Sequence, residues 1–202
     1  KTNNHSYVCI ADGVGGAGAG DIASKSAVDF FFNSITHNTE LKNVLLSTHD
    51  YIKQLQKEDI VQNKMATTFT FCDINDYRIN GIHVGDTRVC LLRGNGIKQL
   101  TTPHTEAYRL YKLGKINFED ISSYPRKHII ESAIGINGEF MYQEFEFKLE
   151  HSDRILLTTD GIHDIISKLE FRDLSKRCLL LKDFGEAIVD LLSYKKISDN
   201  IS

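Results

Sequence analysis

Three aspartates stand where predicted strands end and a fourth lies near the end of the chain, and carboxylates in such places can bind divalent cations. Asp12 follows an apolar stretch over residues 7–11, Asp86 separates two predicted strands, Asp160 ends a third buried stretch, and Asp199 lies near the end of the chain. Carboxylates gathered at one sheet edge repel one another unless cations lie among them. Mg²⁺ and Mn²⁺ prefer oxygen ligands. The pattern therefore indicates a divalent metal cluster.

The glycines after Asp12 leave two other interpretations open. Gly13, Gly15 and Gly18 satisfy the G-x-G-x-x-G pattern of a dinucleotide-binding loop. Asp12 would repel a pyrophosphate there, and no strand precedes Glu40, the acid at the expected spacing. An ordinary tight turn or a helix cap is the other interpretation, and it is the default for any single aspartate. The glycines would then supply the left-handed conformations that a turn needs.

Composition excludes several classes of protein. The 202 residues are 41% hydrophobic and 25% charged, which is typical of one globular domain. The net charge of −3 favours neither nucleic acid nor an anionic membrane as a partner, and no membrane span or signal peptide is visible. Four scattered cysteines predict free thiols in a reducing cytosol, hence a cytoplasmic protein. Eight histidines form no H-x-x-x-H pair, which argues against a zinc site.

Hydrophobic periodicity predicts an α+β fold. Helices are predicted from Asp21, as a cap, to residue 35, from residue 39 to 55, over 106–113, and twice after residue 158. Strands are predicted over 7–11, 66–72, 78–84, 89–92, 97–100, 145–149 and 154–158. Short consecutive strands indicate an antiparallel meander. The order of helices, strands and helices favours an α+β sandwich over a doubly wound sheet.

Seven short motifs occur in order along nearly the whole chain. They are 12–16 (D-G-x-x-G), 66–68 (G-T-T), 84–88 (V-G-D-S-R), 100–105 (L-T-x-D-H-S), 124–135 (H-P-x-x-N…A-L-G), 159–164 (S-D-G-L-W-D) and 198–202 (R-D-N-I-T), each matched in part. Each motif alone is weak, and their shared order is specific. Together they resemble the bacterial-type members of the PP2C (PPM) family of metal-dependent protein serine/threonine phosphatases.

The resemblance implies both a fold and a metal centre. The fold is an αββα sandwich, in which two stacked, mainly antiparallel β-sheets are flanked by helix pairs. The centre holds two, or with a weaker site three, Mn²⁺ or Mg²⁺ ions. Its implied ligands are Asp12 as the bridge between two ions, the Gly13 carbonyl, Asp160 and Asp199 on the first ion, and Asp86 with Asp160 on the third. Asp12 and Asp160 would be catalytic, and Asp164 would support these ligands without touching an ion.

The implied activity is hydrolysis of phosphoserine and phosphothreonine in proteins by a metal-activated bridging water. The substrates would be phosphoproteins modified by an opposing serine/threonine kinase. We expect a cytoplasmic monomer that binds neither nucleic acid nor membrane. Residues 1–202 would form one phosphatase domain, with a flap subdomain within 106–138.

Two departures from the family pattern leave an alternative open. Only six residues precede the first predicted strand, where the family usually carries an arginine and an acidic motif. Pro103 replaces the usual aspartate before His104. We therefore expect the sequence to be incomplete at both ends. The alternative is a catalytically weak regulatory or phosphoprotein-binding module of the same fold.

Overall fold

The computed structural model describes residues 5–14, 19–36, 39–58, 64–195 and 202, which form short strands between helices. In chain order the elements are β1 (His5–Ile10), β2 (Gly13–Val14), α1 (Ala19–Ser34), α2 (Leu41–Glu58), β3 (Ala66–Thr67), β4 (Phe69–Asn75), β5 (Arg78–Val84), β6 (Arg88–Arg93), β7 (Gly96–Gln99), α3 (Glu106–Lys112), β8 (Gln143–Lys148), β9 (Arg154–Thr158), α4 (Asp160–His163), α5 (Lys168–Arg177) and α6 (Leu181–Ser193). The α+β class predicted from periodicity is confirmed.

The strands form two main antiparallel sheets. One has four strands in the order β1-β4-β5-β8, and the other has three in the order β7-β6-β9. A further short pair joins β2 to β3. Each of these pairings is antiparallel. The dinucleotide-binding interpretation is therefore wrong, because it requires a parallel, doubly wound sheet.

Alternation along the strands builds three apolar layers. Phe69 and Phe71 of β4 pack with α1 and α2, whereas Cys72 of the same strand faces the second sheet. Leu91 of β6 lies in that layer between the sheets, and Leu92 turns to the opposite side, against α5 and α6. Successive side chains point to opposite faces of a strand, so each sheet is buried on both sides. The result is the predicted sandwich of helix pair, sheet, sheet and helix pair.

Some predicted boundaries are wrong. Helix α1 begins at Ala19, so Asp21 lies in its first turn rather than at its cap. The strand predicted over 66–72 is divided at Thr68 into β3 and β4. The Thr68 N–H leaves the strand ladder because it donates to the Asp12 carbonyl at 2.8 Å. The extra short helix α4 directly after β9 was not predicted.

The connection between α3 and β8 is long and built from turns. Residues 113–142 form neither helix nor regular strand. Two isolated bridges, Thr105 with Ile130 and Thr67 with Ile134, tie this connection to the rest of the fold. Within the described ranges, the helices all lack the combination of length and apolar character that crossing a membrane requires.

Candidate metal centre

Three of the predicted site aspartates lie at one edge of the stacked sheets. Asp12, Asp86 and Asp160 each stand two residues beyond the end of a strand, respectively β1, β5 and β9. The antiparallel register places the ends of β1 and β5 on either side of the start of β4. It also places the end of β9 beside the start of β6. Since only residues 85–87 join β5 to β6, the two sheets present these strand ends together.

The backbone of Asp12 is fixed by two threonines. The Asp12 N–H donates to Thr68 Oγ1 at 2.9 Å. The Asp12 carbonyl accepts from Thr67 Oγ1 at 2.9 Å and from the Thr68 N–H at 2.8 Å. Both threonines are buried. Both main-chain polar groups of Asp12 are therefore held in place.

Gly13 is required for a close approach, not for a left-handed turn. It lies in β2, and a Cβ built on it would be 2.3 Å from the backbone carbon of Gly20 in α1. Real Cβ atoms do not approach a backbone so closely. Strand β2 can therefore rest on the start of α1 only because both residues are glycines. The Gly13 carbonyl, a predicted metal ligand, is held at this contact.

Asp86 carries the electrostatic signature of the edge. Burial, followed by the negative charges of Asp160 and Asp12, raises its pKa from 3.8 to about 7. A carboxyl group that is buried among other acids resists ionisation unless a cation compensates it. Asp160 and Asp12 are therefore close enough for their charges to act on Asp86.

Asp160 is the first residue of the short helix α4, and Asp164 directly follows its last residue. The Gly161 N–H donates to Asp160 Oδ1 at 2.8 Å. Lys127, from the long connection, donates to Asp164 Oδ2 at 2.9 Å, and His128 Nδ1 lies 4.0 Å from the same oxygen. Partial burial alone would raise the pKa of Asp164, but the hydrogen bond and charge of Lys127 hold it below its usual range. The connection is thus anchored beside the acidic edge.

A half-buried basic group lies close to the acids. Arg88 is the first residue of β6 and pairs with Thr158 of β9. Burial lowers the pKa of its guanidinium, and the charges of Asp164, Asp86 and Asp160 act in the opposite direction. His163 is also buried, and burial followed by the charge of Arg88 lowers its pKa to about 3. The histidine is neutral, and Arg88 offsets part of the negative charge of the edge.

The donor set fits a hard divalent cation. Carboxylate and carbonyl oxygens are what Mg²⁺ and Mn²⁺ select, and a cation would relieve the repulsion that raises the Asp86 pKa. In the part of the chain that the structure describes, no three acidic, histidine or cysteine side chains already converge to enclose an ion. The predicted ligand Asp199 lies outside the described residues.

Comparison with known proteins identifies the family. The family model for protein phosphatase 2C matches residues 1–193. The chain belongs to the protein phosphatase 2C family. The resemblance seen in the seven motifs is confirmed, and the chain is a protein phosphatase.

Similar proteins and structures agree with this protein phosphatase 2C assignment. The protein phosphatase PhpP of Streptococcus pneumoniae is 31% identical over 223 residues, covering 100% of this chain and 90% of the relative. The structure of the S. agalactiae serine/threonine phosphatase has a TM-score of 0.88 at 25% identity, covering 99% of this chain and 86% of that one. The catalytic domain of the phosphatase PstP, in complex with two manganese ions, has a TM-score of 0.78 at 22% identity, covering 94% and 84% of the two chains. At 22% identity, the likeness to PstP shows a shared fold alone.

The sequence did not lead us to two further residues that lie close to the acids at this edge of the sheets. Arg88 stands in the motif around Asp86, so its proximity to the acids had a signal that was not used. Lys127 had none, because its contact with Asp164 joins positions 37 residues apart through the tertiary fold.

Proposed function

We propose that this chain removes phosphate from phosphoserine and phosphothreonine in proteins, with Mn²⁺ or Mg²⁺ as its cofactor. One observation carries the proposal: Asp12, Asp86 and Asp160 lie at one edge of the stacked sheets, where burial and the charges of Asp160 and Asp12 raise the pKa of Asp86 to about 7. Membership of the protein phosphatase 2C family supports the reaction. Relatives that are named serine/threonine phosphatases support the substrate class.

Five residues would hold the ions. They are Asp12, the Gly13 carbonyl, Asp86, Asp160 and Asp199, with Asp12 and Asp160 as the catalytic pair and Asp86 on a weaker third ion. Ser202 lies at this edge, because its carbonyl accepts from the N–H of Thr159, the neighbour of Asp160, at 3.1 Å. When bound, the ions supply an activated water at neutral pH and neutralise the charge of a phosphoryl group.

The chain's own residues prepare the edge for that chemistry. Thr67 and Thr68 hold the Asp12 backbone in place. The positive charge of Arg88 offsets part of the repulsion among the acids. Asp164 would not touch an ion, and its hydrogen bond to Lys127 anchors the long connection beside the edge. We propose that this connection, within residues 106–138 of a single domain, is a flap next to the substrate.

The catalytically weak alternative is not favoured, since a relative that matches 99% of this chain is named a serine/threonine phosphatase. We further propose that the protein acts as a cytoplasmic monomer and opposes a serine/threonine kinase. The scattered cysteines, all free thiols, support a reducing compartment. The negative net charge gives no electrostatic support for nucleic acid as a partner.

The decisive experiment is hydrolysis of a phosphothreonine peptide by the full chain. We expect activity with Mn²⁺, loss of activity on chelation, and recovery when Mn²⁺ is restored, because the acids cannot act without a cation. A zinc salt serves as the control, because oxygen ligands favour the harder ions. Full activity in a thoroughly chelated sample would rule out the metal mechanism, and inactivity with every divalent ion would favour the weak module.

A further inference from the structure

His104 binds both backbone groups of the residue that precedes Asp86. The Gly85 N–H donates to His104 Nδ1 at 3.1 Å. In return, the His104 N–H donates to the Gly85 carbonyl at 2.7 Å. His104 lies on the segment between β7 and α3, far from Gly85 in sequence. One residue thus fixes the peptide groups on both sides of Gly85.

The ring of His104 is itself held in place. It stacks on the ring of His83, with centroids 5.1 Å apart and planes inclined by 22°. His83 is fully buried between the sheets, and its Nδ1 lies 2.7 Å from Thr70 Oγ1. Thr70 Oγ1 in turn lies 2.6 Å from Thr87 Oγ1, on the other side of Asp86. This hydrogen-bonded group therefore borders the Asp86 loop before and after the acid.

Gly85 is the joint at which the loop would otherwise move. Its φ of +106° belongs to a region that side chains other than glycine rarely adopt. A Cβ built on it would be 2.6 Å from the Cβ of Thr68, the residue that fixes the Asp12 backbone. A continuous set of contacts thus runs from His104 through Gly85 and Thr68 to Asp12. Movement of Gly85 would change the position of Asp86 relative to Asp12.

We infer that His104 is a positioning residue for the metal centre, which fixes Gly85 and thereby holds the Asp86 carboxylate opposite Asp12. The inference rests on the proposed function, in which Asp86 is a metal ligand. Repulsion between buried acids tends to separate them before an ion binds. A glycine joint cannot resist that force alone, and two hydrogen bonds from one anchored residue can. Neighbours that orient metal ligands in this way commonly change metal affinity or activity by about 10–100-fold when they are replaced.

The hydrogen bond determines which variants are informative. Nδ1 accepts a hydrogen bond from the Gly85 N–H, so the neutral ring carries its proton on Nε2. His104→Phe keeps a ring to stack on His83 but has no acceptor. His104→Asn places a carbonyl oxygen close to the position of Nδ1 and keeps the acceptor. His151→Phe, at an exposed turn, is the matched control for adding a phenyl ring.

Three measurements on the full chain test the inference. Mn²⁺ titration calorimetry on the metal-free protein should show tight binding and a weaker phase, and Asp86→Ala should remove the weaker phase. We expect His104→Phe to weaken that phase by about 10–100-fold and to accelerate exchange of the Gly85 amide hydrogen. His104→Asn should restore most of both. For a phosphothreonine peptide, kcat should fall in those variants in which the weaker Mn²⁺ phase is weakened or lost, and KM should stay nearly unchanged.

The possible failures are distinguishable. If Asp86→Ala binds Mn²⁺ like the wild type, then Asp86 is not a ligand, and both the proposed assignment and this inference are wrong. If Asp86→Ala loses the weak phase but His104→Phe keeps it, only the inference about His104 is wrong. It is also wrong if His104→Asn fails like His104→Phe. Nitrogen NMR of the wild type does not depend on a folded variant: a protonated Nδ1 on His104 at pH 7 would overturn the inference, and an unprotonated one would support it.

Discussion

Replacing Asp86 by asparagine should stabilise the metal-free protein at pH 8 and leave it unchanged near pH 4. Burial and the charges of Asp160 and Asp12 raise the pKa of Asp86 from 3.8 to about 7. The folded protein therefore disfavours the ionised carboxylate. Asparagine has nearly the same shape and carries no charge at any pH. It should remove the penalty that the native acid imposes.

The sign and size of the effect come from proton linkage. Below pH 4 the carboxyl group is protonated in both the folded and the unfolded chain, so it contributes nothing. Between about pH 4 and 7 the folded protein keeps a proton that the unfolded chain releases, so the free energy of unfolding falls as the pH rises. Above pH 7 the whole penalty is present. A pKa of about 7 instead of 3.8 corresponds to roughly 4 kcal/mol at 1.36 kcal/mol per unit.

Buried histidines titrate in the same range with the opposite sign. Burial lowers the pKa of His83 and of His163 to about 3. Each is neutral when folded and takes up a proton on unfolding below about pH 6.5, so its contribution to stability is lost as the pH falls. The wild type and Asp86→Asn share these histidines. The difference between the two proteins therefore isolates Asp86.

Urea unfolding of chelated wild type and Asp86→Asn, from pH 4.5 to 8.5, measures that difference. The free energies of unfolding of the two proteins should be nearly equal at the acidic end and should differ increasingly towards pH 8. In thermal unfolding at pH 8, the variant should melt about 10 °C higher than the wild type. Added Mn²⁺ should stabilise the wild type more than the variant. Parallel curves across the whole range would refute the view that Asp86 is a buried acid crowded by its neighbours.

Two further predictions concern the start of the site. Asp12→Asn should reduce phosphatase activity at least about 100-fold, or about 2.7 kcal/mol, because an amide cannot bridge two cations; the melting temperature should stay near the wild-type value, since the Asp12 backbone is held by Thr68. A folded variant with normal turnover would show that Asp12 is only a turn residue. Gly13→Ala should destabilise the protein more than Gly20→Ala, because the added Cβ meets the facing backbone at 2.3 Å rather than 3.0 Å; equal losses in thermal melting would contradict this contact.

Local sequence patterns predicted much of the fold because they record which faces are buried. The alternation around Phe69 and Phe71 reports a strand with two buried faces, and the structure has that strand. The prediction of one unbroken strand over 66–72 failed for a physical reason. Thr68 has the composition of a strand residue, but its N–H binds Asp12, more than 50 residues away, and this contact divides the strand. No periodicity within a short window can report such a contact.

The site was predictable as a set of residues and not as a geometry. The position of Asp12 and Asp160 after apolar stretches signalled acids at strand ends. Whether those ends meet depends on strand order, which the spacing left open and the family resemblance supplied. The roles of His104 and Lys127, which bind the segments that carry the acids, depend on contacts between distant parts of the chain. Their residue types alone do not distinguish them from any surface histidine or lysine.

The structure holds each acid through its backbone or through the turn that it begins, so that the acids can be close before an ion binds. Asp12 is held by two threonines, Asp86 by the bonds of His104 to Gly85, and Asp160 by its place at the start of α4. Backbone positioning keeps the repulsion among the acids in the metal-free protein. A bound cation relieves that repulsion, and the same repulsion raises the pKa of Asp86. A variant that lowers the pKa of Asp86 should therefore also weaken the binding of a cation.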